Sequence, residues 1–479
     1  MAATTTTLQA PARPQRSPER LWSQTRVRFA LTGLAIMIIA LVAMFQASNA
    51  YTTTREVFRS ITEVNSSLVD ASENALQYIA QASQAAADYA LLTSDTPLFE
   101  QAQNDVFRAF AQYRDEMATL SATLQSDDER AAYTVAETIT YSRFWRHVSN
   151  LVAQRTNEAV ARREYLDADN HVRNWINPAL QELERLNYDE MVRAGATAGS
   201  VISSQAFRYA VPALAVLFLL GSFSMEVRRK VRRLLTPGVD LALVLSLVLL
   251  AVLLTNLNAA PSDLNFMIGN AYRGVSASSR VLVEANLANR AESSALIDPE
   301  AVDAWMERFD AAADRIQLRL CGQDECTDST FVNFTNSLER SIVDGALRIS
   351  AEDSARIDGI APLAVDVTLL GEGRALEAAR IAYNDFIAAN TTLRTMIKAG
   401  RVEDAILFNT STDGGTSQEA FLRLEEAINR LITLHRDVFD QTWANVGSTL
   451  QRNQQIAVIG YGAIAILALL GALHRYREL

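Results

Sequence analysis

The stretch Val227-Arg-Arg-Lys-Val-Arg-Arg233 decides the fold. Apolar runs flank it at 210–223 and 239–254, and two more stand near the ends of the chain at 29–45 and 456–473. Each approaches the roughly 20 apolar residues that cross a bilayer. The only charge in them is Asp240, at the edge of the third. Arginine and lysine collect on the cytoplasmic side of membrane segments. Arg13, Arg16, Arg20, Arg26 and Arg28 precede the first span, and Arg475 and Arg477 follow the fourth. Both termini and the basic hairpin are therefore expected inside, and the two long stretches outside.

The reading divides the chain into a cytoplasmic tail expected to be disordered (1–28), a first span (29–47) and a first extracytoplasmic stretch (48–208). A second span (209–225), the hairpin (226–238) and a third span (239–257) follow. A second extracytoplasmic stretch (258–455), a fourth span (456–473) and a short tail (474–479) complete it. Tail, hairpin and C-terminus carry +4, +4 and +1 and Asp240 subtracts one, so the total of −11 leaves −19 outside. An acidic exterior argues against nucleic acid as a partner. Arg26, Arg28, the first apolar run and Ala47-Ser-Asn-Ala50 also fit a removable signal peptide. An uncleaved anchor is preferred, because the same pattern recurs behind a span that cannot be cleaved.

Both exterior stretches read as all-α. Val106, Phe110, Tyr113, Met117, Leu120 and Leu124 step by fours and threes, the seam of a bundled helix. Thr96-Pro97 starts that helix and Ser126-Asp-Asp-Glu129 is spaced as a capping box for the next. Phe421, Leu424, Ile428, Leu431, Leu434 and Val438 form one stripe leading to the fourth span. Pro178 is expected to kink or start a helix, and the polar stretch 167–174 to be a turn. At an offset of 242, Tyr141 and Phe144 fall on Tyr383 and Phe386, and Glu164-Tyr-Leu-Asp167 falls on Ile406-Leu-Phe-Asn409. The expectation is an integral membrane protein with four transmembrane helices and two extracytoplasmic four-helix bundles in tandem repeat, the second enlarged by an insertion at 321–370.

Cys321 and Cys326, the only cysteines, belong to that insertion. A loop-closing disulfide is favoured outside the cell, with two free thiols as the alternative; no histidine lies near to complete a metal site. His147, His171, His435 and His474 are scattered, and no HExxH pair, GxSxG elbow or phosphate loop occurs. Gly371-Glu-Gly373 reads as a loop or helix start, and Gly460 and Gly462 as sites of close helix packing. No enzyme, cofactor or metal is expected, and the sequence names no ligand.

A helix entering a bundle from one span and leaving by another resembles the periplasmic sensing domain of bacterial chemoreceptors and some histidine kinases. Ala399-Gly-Arg-Val-Glu-Asp-Ala405 followed by Phe421-x-x-Leu424 is similar to that family's last turn and helix. Asn157-Glu-Ala-Val-Ala161, followed by Leu180-x-x-Leu183, is a version without the glycine. Chemoreceptors continue into a long cytoplasmic hairpin, whereas this sequence reaches Leu479 without an output domain. The four-span plan also resembles actinobacterial amino-acid-sensing membrane proteins that work beside a solute-binding lipoprotein and a cytoplasmic kinase. The resemblance implies a non-catalytic sensor or adaptor. Its partners would be an extracytoplasmic ligand or solute-binding protein and a cytoplasmic signalling protein that contacts Arg228, Arg229, Lys230, Arg232 and Arg233. Those same side chains also suit a topology determinant touching anionic membrane lipid. A structural scaffold or accessory subunit is the competing reading, and self-association into a homo-oligomer stays open.

Overall fold

The computed structural model describes residues 18–92, 97–124, 126–154, 156–231, 237–316, 319–320, 357–358, 369 and 371–478. The described residues are almost entirely helical; a two-residue antiparallel pairing, Arg319–Leu320 with Ile357–Asp358, is their one strand contact. The helices are α1 (Pro18–Arg59), α2 (Ser66–Leu91), α3 (Pro97–Ser121), α4 (Asp127–Ile139), α5 (Trp145–Ala153) and α6 (Glu158–His171). They continue as α7 (Asn177–Val231), α8 (Pro237–Phe266), α9 (Arg273–Ile297), α10 (Val302–Ile316), α11 (Glu372–Lys398), α12 (Val402–Thr410) and α13 (Ser417–Glu478). Four helical stretches, Val27–Leu91, Glu158–Arg229, Gly238–Ile297 and Ser417–His474, are long and apolar enough to cross a membrane.

The chain forms two compact units. One gathers Met1–Val57, Ala198–Ser262 and Val446–Leu479, and so holds the four apolar runs. Small residues set its internal spacing. Gly33 meets Ala472, and Gly460 lies under Leu249, so a Cβ at either position would overlap its neighbour. Gly462 has open space around it and is not a packing site. Two pairs of polar groups are joined inside the unit: Tyr51 Oη donates to the Leu253 carbonyl at 2.7 Å, and the hydroxyls of Tyr209 and Tyr461 meet at 3.0 Å. Phe45, Phe207, Phe218 and Ile459 point outward, each 66–74% exposed. That apolar rind suits hydrocarbon better than water.

The other unit gathers Phe58–Thr197 and Asp263–Asn445. Two stretches expected to form separate bundles thus contribute to one body, and one core cluster combines Leu76, Ile79 and Tyr113 with Val283, Leu296 and Leu393. At its centre lie α2 and α9, with 19 of 26 and 19 of 25 residues buried. Their runs of alanine, including Ala82, Ala85, Ala86, Ala288, Ala291 and Ala295, allow helices to approach closely. Each helix follows a π-helical turn, Ser60–Asn65 in one half and Met267–Tyr272 in the other, displaced by 207 residues. Hydrogen bonds across the pair keep nearly that displacement. Tyr272 Oη donates to the Ser66 carbonyl (206 apart), Ser293 Oγ to Asp88 (205) and Gln84 Nε2 to Ser293 (209). A constant separation means the helices run parallel with equivalent positions facing each other.

Local signals play out as elementary chemistry dictates. The capping box closes in both directions, Glu129 N–H donating to Ser126 Oγ and Ser126 N–H to the Glu129 carboxylate. The seam from Val106 to Leu120 is buried. Gly371 takes φ +93 at the start of α11, so Gly371-Glu-Gly373 is a helix start. On α13 the buried stripe leaves the expected register after Leu431, burying His435 and Phe439 in place of Leu434 and Val438. The expected turn at 167–174 is corrected: α6 continues through it into a π-helical segment, Val172–Ile176, and Pro178 is the second residue of α7. Pro178 thus lies inside one continuous helix, Glu158–Arg229, its missing N–H falling directly after the widened π-helical turn that interrupts the regular hydrogen-bond ladder.

The packing of α9 on α13 yields a test. A Cβ at Gly274 would overlap the buried ring of His435, whereas a Cβ at Gly269 meets nothing within 4 Å. Gly274→Ala should destabilise the protein by roughly 1–3 kcal/mol, and Gly269→Ala should be neutral or slightly stabilising. Thermal unfolding of the detergent-solubilised chain checks both; equal effects would contradict the packing described.

Candidate functional site

The site is built where the sequence suggested only a polar turn. Because α6 stays helical, Asp169 and Arg173 stand one turn apart, and Arg173 Nε donates to Asp169 Oδ2 at 2.7 Å. Asp169 is fully buried, and a second guanidinium, Arg290 of α9, reaches its Oδ1 at 3.1 Å. Arg290 is itself only 3% exposed. A buried carboxylate held by two guanidiniums joins the α6–α7 junction to the central helix α9.

A cavity of about 510 Å³ opens beside this pair, lined by Arg173, Asn177, Gln181, Glu284, Leu287, Arg290, Trp305, Arg308 and Arg315. Arg308, exposed on α10, lies 4.2 Å above the Trp305 ring, and Arg173 lies 5.1 Å from the same ring. The indole is thus contacted by two cations, a geometry its ring quadrupole favours. Arg315 pairs with Glu284 at 2.9 Å. Burial, and then the nearness of Arg173, push the Arg308 guanidinium below its usual value. Five buried polar atoms of the site find no hydrogen-bond partner among the described residues: the donors Arg290 Nη1 and Trp305 Nε1, and the acceptors Asn177 Oδ1, Glu284 Oε2 and Asp169 Oδ1, the last two with ion-pair contacts only. A buried donor without a partner costs about 1–3 kcal/mol unless something supplies one.

A second cavity of about 310 Å³ shares Gln181 and Glu284 with the first and adds Glu73, Leu76, Glu184, Ser279 and Arg280. Arg280 holds Glu184 at 2.7 Å. Burial, and then Glu184, push the Glu73 carboxyl up to about 8. Further along the α2–α9 contact, Asn390 and Ser417 donate to Glu292 at 2.7 Å each, and burial raises Glu292 to about 7. Burial raises Asp88 to about 7 as well. The middle of this unit is a row of carboxyls held near neutrality by their surroundings.

The residues singled out from sequence fall elsewhere. Arg228 and Arg229 lie near the end of α7, where Arg228 reaches Asp240 at 3.2 Å, and Ser224 Oγ donates to the same carboxylate at 2.8 Å. Lys230 lies on α7; Arg232 and Arg233, and the expected Cys321–Cys326 bridge, lie outside the described residues. Two of the scattered histidines come together: the His147 and His171 rings stack at 5.4 Å, and His147 Nδ1 meets Glu164 at 2.7 Å. The described residues contain no group of three or more His, Cys, Asp or Glu side chains arranged to hold a metal ion. Sequence reasoning missed Asp169, Arg290, Trp305 and Arg308. The available signals were the i, i+4 spacing of Asp169 and Arg173 and an arginine inside the alanine-rich run of α9. No protein-family model, curated protein or solved structure matches the chain.

The buried carboxyls fix a pH dependence. Glu73 has a folded value of about 8 against an ordinary 4.5. Between those values the folded state keeps a proton that the unfolded chain has released. Its contribution is therefore complete below about pH 4.5 and is lost progressively as pH rises towards 8. Asp88 and Glu292 act in the same sense. Thermal unfolding of the full chain from pH 5 to 8 should show the wild type losing stability relative to Glu73→Gln, by up to a few kcal/mol. A difference independent of pH, or one that reverses, would contradict the burial of this carboxyl.

Proposed function

We propose that the chain is a non-catalytic membrane sensor or adaptor. It would couple an extracytoplasmic ligand or binding protein to a separate cytoplasmic signalling protein. One observation carries the reading: Asn177 and Gln181, in the first turns of α7, line the cavity, and the same helix runs through an apolar stretch to Arg228 and Arg229. A solute at the cavity touches a rod that itself reaches the basic segment. Helix α9, which supplies Arg290, is likewise carried on the third long helical stretch, Gly238–Ile297. The 207-residue displacement of the π-helical turns supports the accompanying inference that two copies of one span–bundle–span plan were joined.

The mechanism is a shift in population between two arrangements of the helices that line the cavity. A ligand moves that balance only by its differential affinity for them. Coupling energies of this kind are typically about 1–3 kcal/mol, enough for displacements of an ångström or two in packed helices. The arginine distribution supports an orientation with both termini and residues 226–238 in the cytoplasm. The scaffold alternative is less favoured, because a purely structural core has no use for a solvent-reachable cavity lined by unpartnered buried donors.

Orientation is tested by single-cysteine labelling in a chain lacking its native cysteines. Asp115 and Arg430 are exposed in the water-facing unit, and Arg229 lies near the end of α7. A membrane-impermeant maleimide should label cysteine at 115 and 430 in intact cells, and at 229 only after permeabilisation. The opposite pattern would overturn the reading. With orientation verified, Arg228→Gln/Arg229→Gln should lose a cytoplasmic protein cross-linked to the wild type in native membranes. Undiminished cross-linking would leave those arginines as topology anchors and favour the scaffold.

A further inference from the structure

The larger cavity carries an imbalance of charge that its own residues do not resolve. Four arginines line it against one carboxylate, Glu284, and the second negative charge, Asp169, is buried behind Arg173 and Arg290. Burial raises the Glu284 carboxyl above its ordinary value, and Arg315 pairs with it at 2.9 Å. Glu307 lies next to Arg308 but is exposed, where water screens it. Two positive charges thus remain over: Arg308 is exposed and screened as Glu307 is, whereas the excess at Arg173 and Arg290 beside Asp169 is shielded from solvent, at a cost that grows as the local dielectric falls. Unpaired charge of this kind is expensive unless something neutralises it.

The unsatisfied donors sharpen the reading. Arg290 Nη1 and Trp305 Nε1 are donors on side chains 3% and 5% exposed, and neither has a partner among the described residues. Arg308 adds a guanidinium fork, held in place by the indole beneath it. Guanidinium groups and an indole N–H on residues that line one cavity match oxygen acceptors on a planar or tetrahedral anion. The volume, about 510 Å³, is within the range of sites for small organic ligands. The arrangement is not a by-product of the repeated plan: the position 207 residues before Arg290 is Ser83, which carries no charge. Neither nucleophile nor metal cluster accompanies it, so the chemistry it supports is binding.

We propose that this cavity binds a small dianionic oxyacid, a dicarboxylate or a phosphate monoester, with one charged group held among Arg290, Arg308 and Trp305 Nε1. The proposal rests on reading the water-facing unit as the ligand-receiving part of a sensor. It adds the class of solute and the residues that select it. The bound dianion cancels the excess charge, satisfies the two buried donors, and ties α10 to α9 beside the start of α7. A neutral isostere of the same shape gains none of this.

The test uses the full chain in nanodiscs at fixed ionic strength, with succinate, inorganic phosphate, succinamide and sulfate as probes. Succinate or phosphate should raise the unfolding temperature and bind saturably by calorimetry, and the tighter of the two identifies the carboxylate or phosphate branch. Succinamide should do neither, and sulfate should act no more strongly than the better probe. Arg308→Gln should weaken that binding at least tenfold while leaving the unliganded unfolding temperature unchanged or higher, because it relieves crowding among arginines. Trp305→Phe, which keeps the aromatic support but removes Nε1, should also weaken it. The proposal is overturned if neither anion binds, if succinamide binds as well as succinate, or if both variants bind like the wild type. Failure of the sensor reading is seen separately: anion binding that leaves the cytoplasmic cross-link to Arg228 and Arg229 unaltered removes the signalling role and keeps the site.

Discussion

The unit formed by Phe58–Thr197 and Asp263–Asn445 is organised around one desolvated carboxylate. Asp169 is fully buried, with Arg173 at 2.7 Å and Arg290 at 3.1 Å. Removing these charges from water costs several kcal/mol per ion, and only good geometry with both partners present offsets it. The contact fixes where the α6–α7 junction meets α9, and with it the position of the cavity that Asn177, Gln181, Trp305 and Arg308 complete. The π-helical segment Val172–Ile176 belongs to the same constraint. Its extra residue per turn changes the face that α7 presents after Asp169 has been committed inward.

A second constraint is the alanine-rich contact of α2 with α9. Bulky side chains would hold the two helices apart, and the cross-helix bonds from Tyr272 and Ser293 would then be out of reach. Packing around these helices also traps Glu73 and Asp88 of α2, and Glu292 of α9 against α11 and α13, away from water, and burial holds all three well above the ordinary carboxyl range. Each is shifted towards its protonated form by burial, so the unit tolerates a row of acids along its middle.

Much of this was legible in the sequence, and the part that was not has a physical reason. The four apolar runs, the Val106–Leu120 seam, the Ser126–Glu129 box and the Gly371 helix start are local signals, each decided by residues within a turn or two of one another. The merging of the two stretches into one unit depends on pairings some 207 residues apart, which no local periodicity encodes. Polarity at 167–174 suggested a turn because exposed polar runs usually are one; here Asp169 is polar in order to meet Arg290. Gly460 was recognisable as a packing site, yet Gly462, two residues on, faces open space, since helix rotation decides which of two nearby glycines meets a neighbour.

The central claim is that the Asp169–Arg290 pair holds the cavity together, and a double-mutant cycle tests it most directly. Unfolding free energies of the full chain would be measured for Asp169→Asn, Arg290→Gln and the double variant. Breaking a buried pair from one side typically costs about 3–5 kcal/mol, because the remaining charge is stranded. The account predicts single losses of that size and a double variant that loses at least ~2 kcal/mol less than their sum. Single losses below about 1 kcal/mol that simply add would show the two residues to be independent, and would contradict it.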